Sequence, residues 1–197
     1  MAAKKIIKRI TGILLLLVVA IIAGGGIAIY KIRSWKNSSN ISIGSWQTIG
    51  KGNDVNSDDL LSIAQIAVYA TFPLKKSEVI YLTATTDSEG NTLDDQHDYV
   101  VTGKKFDARY WSITAYDQDG FLIKNTAQKY SYNGENVQYD ADNTSYKISL
   151  SATTKSVNWL STAGTKKVLL AIRLYQPSEQ LRSSLNPDAV PVIKRVN

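Results

Sequence analysis

In 197 residues the chain has no cysteine, one histidine, one methionine and four prolines. The missing cysteine excludes disulfides, thiolate nucleophiles, Cys-ligated zinc and c-type haem attachment. With His97 as the sole imidazole, a multi-histidine metal site is ruled out, and any Ser-His-Asp triad would have to use that ring. Acids are missing from one region in particular: residues 1–36 carry Lys4, Lys5, Lys8, Arg9, Lys31, Arg33 and Lys36 and no Asp or Glu. That leaves 16 of the 23 basic residues against all 17 acids, so the net +6 belongs to the N-terminal flanks and the remainder sits near −1. A basic patch on a folded domain, which phosphate neutralisation requires, is not indicated, and no nucleic-acid partner is expected.

One long charge-free run is present. Ile10–Tyr30 reads ITGILLLLVVAIIAGGGIAIY; as a helix rising ~1.5 Å per residue it spans about 30 Å, the thickness of a bilayer core. A cleaved signal peptide competes, because Lys4 to Arg9 make an n-region and Ala23-Gly24-Gly25 suits a signal peptidase. The apolar run continues past those glycines through Ile27, Ala28, Ile29 and Tyr30, which favours a retained anchor over residues 10–32 in contact with inner-membrane lipid. Bases flank both ends. The four on a very short leader, with a long domain following, place the N-terminus in the cytoplasm and the domain in a bacterial periplasm, with Tyr30 and Trp35 at the outer interface. Ala20, Gly24 and Ala28 share one helix face, an ordinary feature of membrane helices.

Beyond the span, residues 33–45 read as a polar linker and 46–197 as one domain. An amphipathic helix is expected after Asn56 or Ser57, with Asp58 and Asp59 in its first turn, the stripe Leu60, Leu61, Ala64, Ala67, Val68 and Thr71, and an end at Pro73. The period then changes to two. Strands are expected at 78–86, 97–101, 110–116, 121–123, 129–132, 146–151 and 167–175. Asp87-Ser88-Glu89-Gly90 and Asp117-Gln118-Asp119-Gly120 each place an acid first and a glycine fourth, which suits tight turns with positive φ at the glycine. A calcium loop is disfavoured at the second, since no Glu stands twelve positions from its start. The fold class is mainly β, a β-sandwich of jelly-roll type with one amphipathic helix, preceded by a transmembrane helix.

The segment from Tyr110 to Asn125, YWSITAYDQDGFLIKN, resembles the "FWSLTMYDxDGxLVxN" block of the bacterial family called domain of unknown function 1214. Asn158-Trp159-Leu160, Gly164 and Ala171-Ile172-Arg173-Leu174-Tyr175-Gln176-Pro177 resemble its "NWLPAPxG…LRLYxP" stretch. Glu78 to Tyr81 with Asp87, Gly90 and Leu93 are similar to its upstream portion, and Val190 to Arg195 to its tail. The likeness runs over roughly 46–197 and departs at Leu160-Ser161-Thr162, where a proline is common. It implies a β-sandwich envelope protein in a short, singly anchored form of a family often paired with domain of unknown function 1254. It implies no reaction and no cofactor.

Candidate ligand-binding residues are Arg173, Tyr116, Tyr175, Asp117 and Trp159; no catalytic residue, metal or cofactor is assigned. Arg173 stands mid-strand among apolar residues, so its guanidinium is expected to pair with a carboxylate such as Asp117, or else to clamp an anionic ligand. Trp111, Trp159, Tyr110, Tyr116 and Tyr175 are either core or a platform for sugar rings; the alternation puts Trp111 inside and Tyr116 and Tyr175 on the other face. His97, among Asp94, Asp95 and Asp98, reads as a solvated turn histidine. Two functions follow: a non-catalytic module binding an envelope protein or glycan, or a small periplasmic enzyme using carboxylates with Arg173 on a carbohydrate or polar metabolite.

Overall fold

A computed structural model of the chain describes residues 2–34, 41–48, 74–75, 77–155 and 157–196. The expected helix beyond residue 56 and the interfacial Trp35 lie outside the described residues. The chain divides into two units, residues 1–38 and 39–197.

The first unit is one helix, α1 (Ala2–Ser34). Its stretch Lys4–Lys31 is long and apolar enough to cross a membrane. Leu, Ile and Val side chains project from it exposed on all sides, as suits a helix solvated by lipid.

The second unit is mainly β, two sheets packed face to face. The larger has six strands in the order β1 (Ser42–Ile43), β2 (Trp46–Thr48), β3 (Val79–Ala84), β9 (Leu169–Pro177), β5 (Ala108–Tyr116), β6 (Ser131–Asn133). The smaller has four: β10 (Val192–Arg195), β4 (Tyr99–Lys104), β7 (Ser145–Ser151), β8 (Trp159–Ser161). A short helix α2 (Glu179–Ser183) follows β9. Every pairing is antiparallel except β7 with β8. Chain order begins earlier than expected, because Ser42 and Ile43 already pair with β2 inside the stretch assigned to the linker. Phe121–Ile123, expected as a strand, contributes only a single bridge, Leu122 to Tyr116. Both acid-first turns form, with φ of 89° at Gly90 and 84° at Gly120.

The alternation in β5 and β9 explains the layering. Trp111, Ile113 and Ala115 register with Leu174, Ile172 and Leu170, and these with Ile80, Leu82 and Ala84. All are buried and meet Tyr99, Val101, Tyr146, Ile148, Leu150 and Ile193 from the smaller sheet. Trp111 stacks on Tyr146 across the interface at 5.1 Å between centroids, and the Trp46 indole N–H donates to the Pro191 carbonyl at 2.6 Å, tying β2 to the start of β10. Gly103 is required here: a Cβ on it would lie 2.6 Å from the Tyr146 hydroxyl. The interior is thus filled by side chains, with the second face of the larger sheet turned away from it.

Candidate functional site on the outer sheet face

Residues that alternate with the core set line the outer face of the six-stranded sheet, where Val79, Tyr81, Ala171, Ser112 and Thr114 are buried while Arg173, Tyr116, Tyr175 and Tyr110 keep part of their surface exposed. Across β3, β9, β5 and β6, one row reads Tyr81, Arg173, Ser112, Asn133; the next reads Thr83, Ala171, Thr114, Ser131. Val79, Tyr175 and Tyr110 form a row on one side of these, and Leu169 and Tyr116 one on the other.

Arg173 is half-buried, and its Nη2 donates to the Tyr116 hydroxyl at 2.9 Å. The guanidinium carbon also lies 5.5 Å from the centre of that ring, within the range of cation–π attraction. Because Arg173 and Tyr116 are two rows apart, the arginine runs along the sheet above the small residues Ala171 and Thr114. No described carboxylate lies within ion-pair distance of it. The anticipated pairing with Asp117 is absent for a local reason. Asp117 Oδ1 accepts the backbone N–H groups of Asp119 and Phe121, each at 2.9 Å, so that carboxylate is consumed in closing its own turn. A guanidinium offers five donors in a fixed fork, and among the described residues it meets one partner, the Tyr116 hydroxyl.

Tyr175 and Tyr110 face each other with centroids 6.0 Å apart. Tyr110 is 40% exposed and its hydroxyl accepts from Asn133 Nδ2 at 3.3 Å. Arg173, Tyr116 and Tyr175 therefore share one face. Trp159 does not join them: it sits in β8 of the other sheet, 6% exposed, its indole N–H donating to the Ser151 carbonyl. Asn133 enters the surface through the β5–β6 register, beside a buried Ser112, a placement that no spacing in the sequence reveals.

The remaining polar clusters are held by turn geometry. Burial raises the Asp94 carboxyl, but the His97 ring at 2.8 Å, the Gln96 N–H and the Tyr99 hydroxyl outweigh it and hold the group below the usual range. For Asp87, burial is likewise outweighed by the backbone and side chain of Asn91 and the N–H of Glu89. Asp98 is lowered by Lys155 at 2.8 Å and by Ser151, and Asp142 by the hydroxyl and N–H of Ser145 with the N–H of Thr144. Each shift favours a carboxylate that accepts hydrogen bonds, the opposite of what a general acid at neutral pH needs. Among the described residues no group of three or more His, Asp or Glu is arranged to hold a metal ion.

An N-terminal helix long and apolar enough to cross a membrane and a two-sheet β domain define the class, that of a β-sandwich protein carrying one candidate membrane span. The sequence profile of the family described as "Protein of unknown function (DUF1214)" matches residues 78–179, more than half of the chain, and the chain belongs to that family. The crystal structure of the VPA0106 protein from Vibrio parahaemolyticus is similar over 71% of this chain, with 26% sequence identity and a TM-score of 0.56. This chain spans 36% of that protein's length. An uncharacterized protein from Burkholderia cenocepacia aligns over 90% of this chain and 51% of its own, at 15% identity and a TM-score of 0.45. No curated protein matches.

Proposed function

We propose that the chain is a single-pass protein of the bacterial inner membrane, its N-terminus in the cytoplasm and its β domain in the periplasm, and that the domain binds an acid-bearing glycan on the outer face of the six-stranded sheet. The topology rests on the four bases of the short leader and the length of α1. The binding assignment rests on one observation: a half-buried guanidinium whose partner among the described residues is a neutral hydroxyl. Partly desolvated arginines are ordinarily balanced by carboxylates, and a sugar carboxylate would supply that balance through two parallel N–H···O bonds. The tilted Tyr110–Tyr175 pair offers ring faces to the sugar, and the hydroxyl of Ser131 with the amide of Asn133 offers partners for its hydroxyls.

The enzymatic alternative requires two acids converging with Arg173, one of them held protonated. Among the described residues every shifted carboxylate is lowered, three by the groups of their own turns and Asp98 by Lys155, which favours a module that holds its ligand without transforming it. The test is retention of the full-length protein, in detergent micelles, on immobilised oligosaccharides. Oligogalacturonate is expected to retain it and neutral oligosaccharides of the same length are not; equal retention, or none, would remove the assignment. An alkaline phosphatase fused after Asn197 is expected to be active, as the topology requires.

A further inference from the structure

The turn after β5 carries the other conspicuous surface of the domain. Phe121 is 70% exposed and Leu122, beside it, 44%. Neither is on a mobile strand end. The Asp119 and Phe121 N–H groups are both fixed on Asp117 Oδ1, the Asp117 N–H donates to the Phe121 carbonyl at 2.9 Å, and Ile123 returns into the core at 6% exposure. The backbone is locked while two large apolar side chains are held outward, so the exposure is built in. Thr165 donates to Gln118 at 3.2 Å, which brings exposed Lys166 and Lys167 beside the tip, and exposed Lys124 follows Leu122 by two residues. Against these three lysines stand Asp119, the turn-bound Asp117 and Asp95, whose carboxylate accepts the Gly164 N–H at 3.2 Å.

We propose that this tip is a second membrane contact, with Phe121 and Leu122 entering the headgroup–acyl boundary and the lysines resting among anionic headgroups. Lipid is the occupant because the same chain supplies it. Six residues separate Ser34 of α1 from Ile41, a link that spans at most roughly 25 Å when extended; on the anchored topology proposed above, on which this inference rests, that tether supplies lipid at high effective concentration. A paired Phe and Leu on a rigid turn suits insertion into a fluid phase, where no shaped pocket is needed. This contact is independent of the glycan face.

The absence of native cysteine makes the test clean. Asp119→Cys at the tip and Glu135→Cys, exposed beyond the Tyr110 end of β5, each carry one environment-sensitive fluorophore in the full-length protein. The protein is placed in nanodiscs of zwitterionic and anionic lipid bearing a nitroxide at the headgroup. Quenching and a blue shift are expected at 119 and not at 135, and Phe121→Ser with Leu122→Ser is expected to abolish both at 119. Equal behaviour of the two labels, or quenching that survives the double substitution, would overturn the proposal. So would a tip label shielded only in native membranes, which would put a protein partner there.

Discussion

Arg173 donates from Nη2 to the Tyr116 hydroxyl at 2.9 Å while lying 5.5 Å from that ring's centre, so one aromatic side chain both orients and faces the guanidinium. Substituting Arg173 by Gln is expected to weaken binding of oligogalacturonate at least about tenfold, roughly 1.4 kcal/mol, and Arg173→Lys to recover little of it, because an ammonium lacks the fork. Tyr116→Phe keeps the ring and deletes the hydroxyl, and is expected to lower affinity by a smaller factor. Calorimetric titration checks all three, with thermal unfolding to show that the fold persists.

Asn158 holds the parallel pair together. At φ 37° and 6% exposed, it accepts from the Gln138 N–H at 2.8 Å and donates to the carbonyls of Gln138 and Lys147 at 2.6 and 3.0 Å. Its own carbonyl accepts from Ser149. Asn158→Ala leaves buried backbone groups unpaired and strains a left-handed position, and is expected to cost about 2–4 kcal/mol in urea unfolding. Asn158→Gly relieves only the strain and should recover less than half of that loss.

Tyr146 carries a buried hydroxyl that has no hydrogen-bond partner among the described residues, and burial pushes its ionisation far above the ordinary phenol range. Tyr146→Phe removes that unmet polar atom and keeps the stacking on Trp111, so it is expected to be neutral or stabilising by up to about 1 kcal/mol. Gly103→Ala is expected to destabilise by about 1–3 kcal/mol through overpacking, with part of the loss regained when Tyr146→Phe is added. Urea midpoints of the two single variants and the double variant decide it.

The four lowered carboxyls set the acid limit of the fold. Because Asp87, Asp94, Asp98 and Asp142 hold their protons less tightly in the folded chain than in the unfolded one, their contribution is complete above the unfolded-state value near 4. It is lost as pH falls below that through the lowered folded values. Stability measured by urea is expected to be flat in this respect from pH 7 to 5 and to drop between about pH 4 and 2. Asp87→Asn and Asp98→Asn should each flatten the drop.

The alternation in β5 separates Trp111, Ile113 and Ala115 from Ser112 and Thr114, and the register puts the first set on the core side; that Ser112 and Thr114 are buried as well is not written in the alternation. Arg173 stood out as the charge in an apolar run. What the sequence could not disclose was its partner, because Asp117 and Arg173 are far apart in the chain and the choice between ion pair and turn closure depends on where two backbone N–H groups point. Phe121–Ile123 has strand composition, yet the Asp117 turn pulls its first residue out of register, leaving one bridge. The three-residue β8 pairs in parallel through a left-handed Asn158, a geometry that no alternation encodes. Trp159 was legible as an aromatic but not as a buried one, since its burial comes from β8 lying against β7 and from Tyr132, whose hydroxyl accepts its N–H.

The account turns on Arg173 as the anion-recognising group of the outer sheet face. Its most direct test is calorimetric titration of the full-length protein in nanodiscs with oligogalacturonate at low and at physiological salt, for the wild type and Arg173→Gln. The predicted result is saturable binding by the wild type that weakens with salt and is lost in Arg173→Gln at unchanged thermal stability. Binding of equal strength by both proteins would contradict the account.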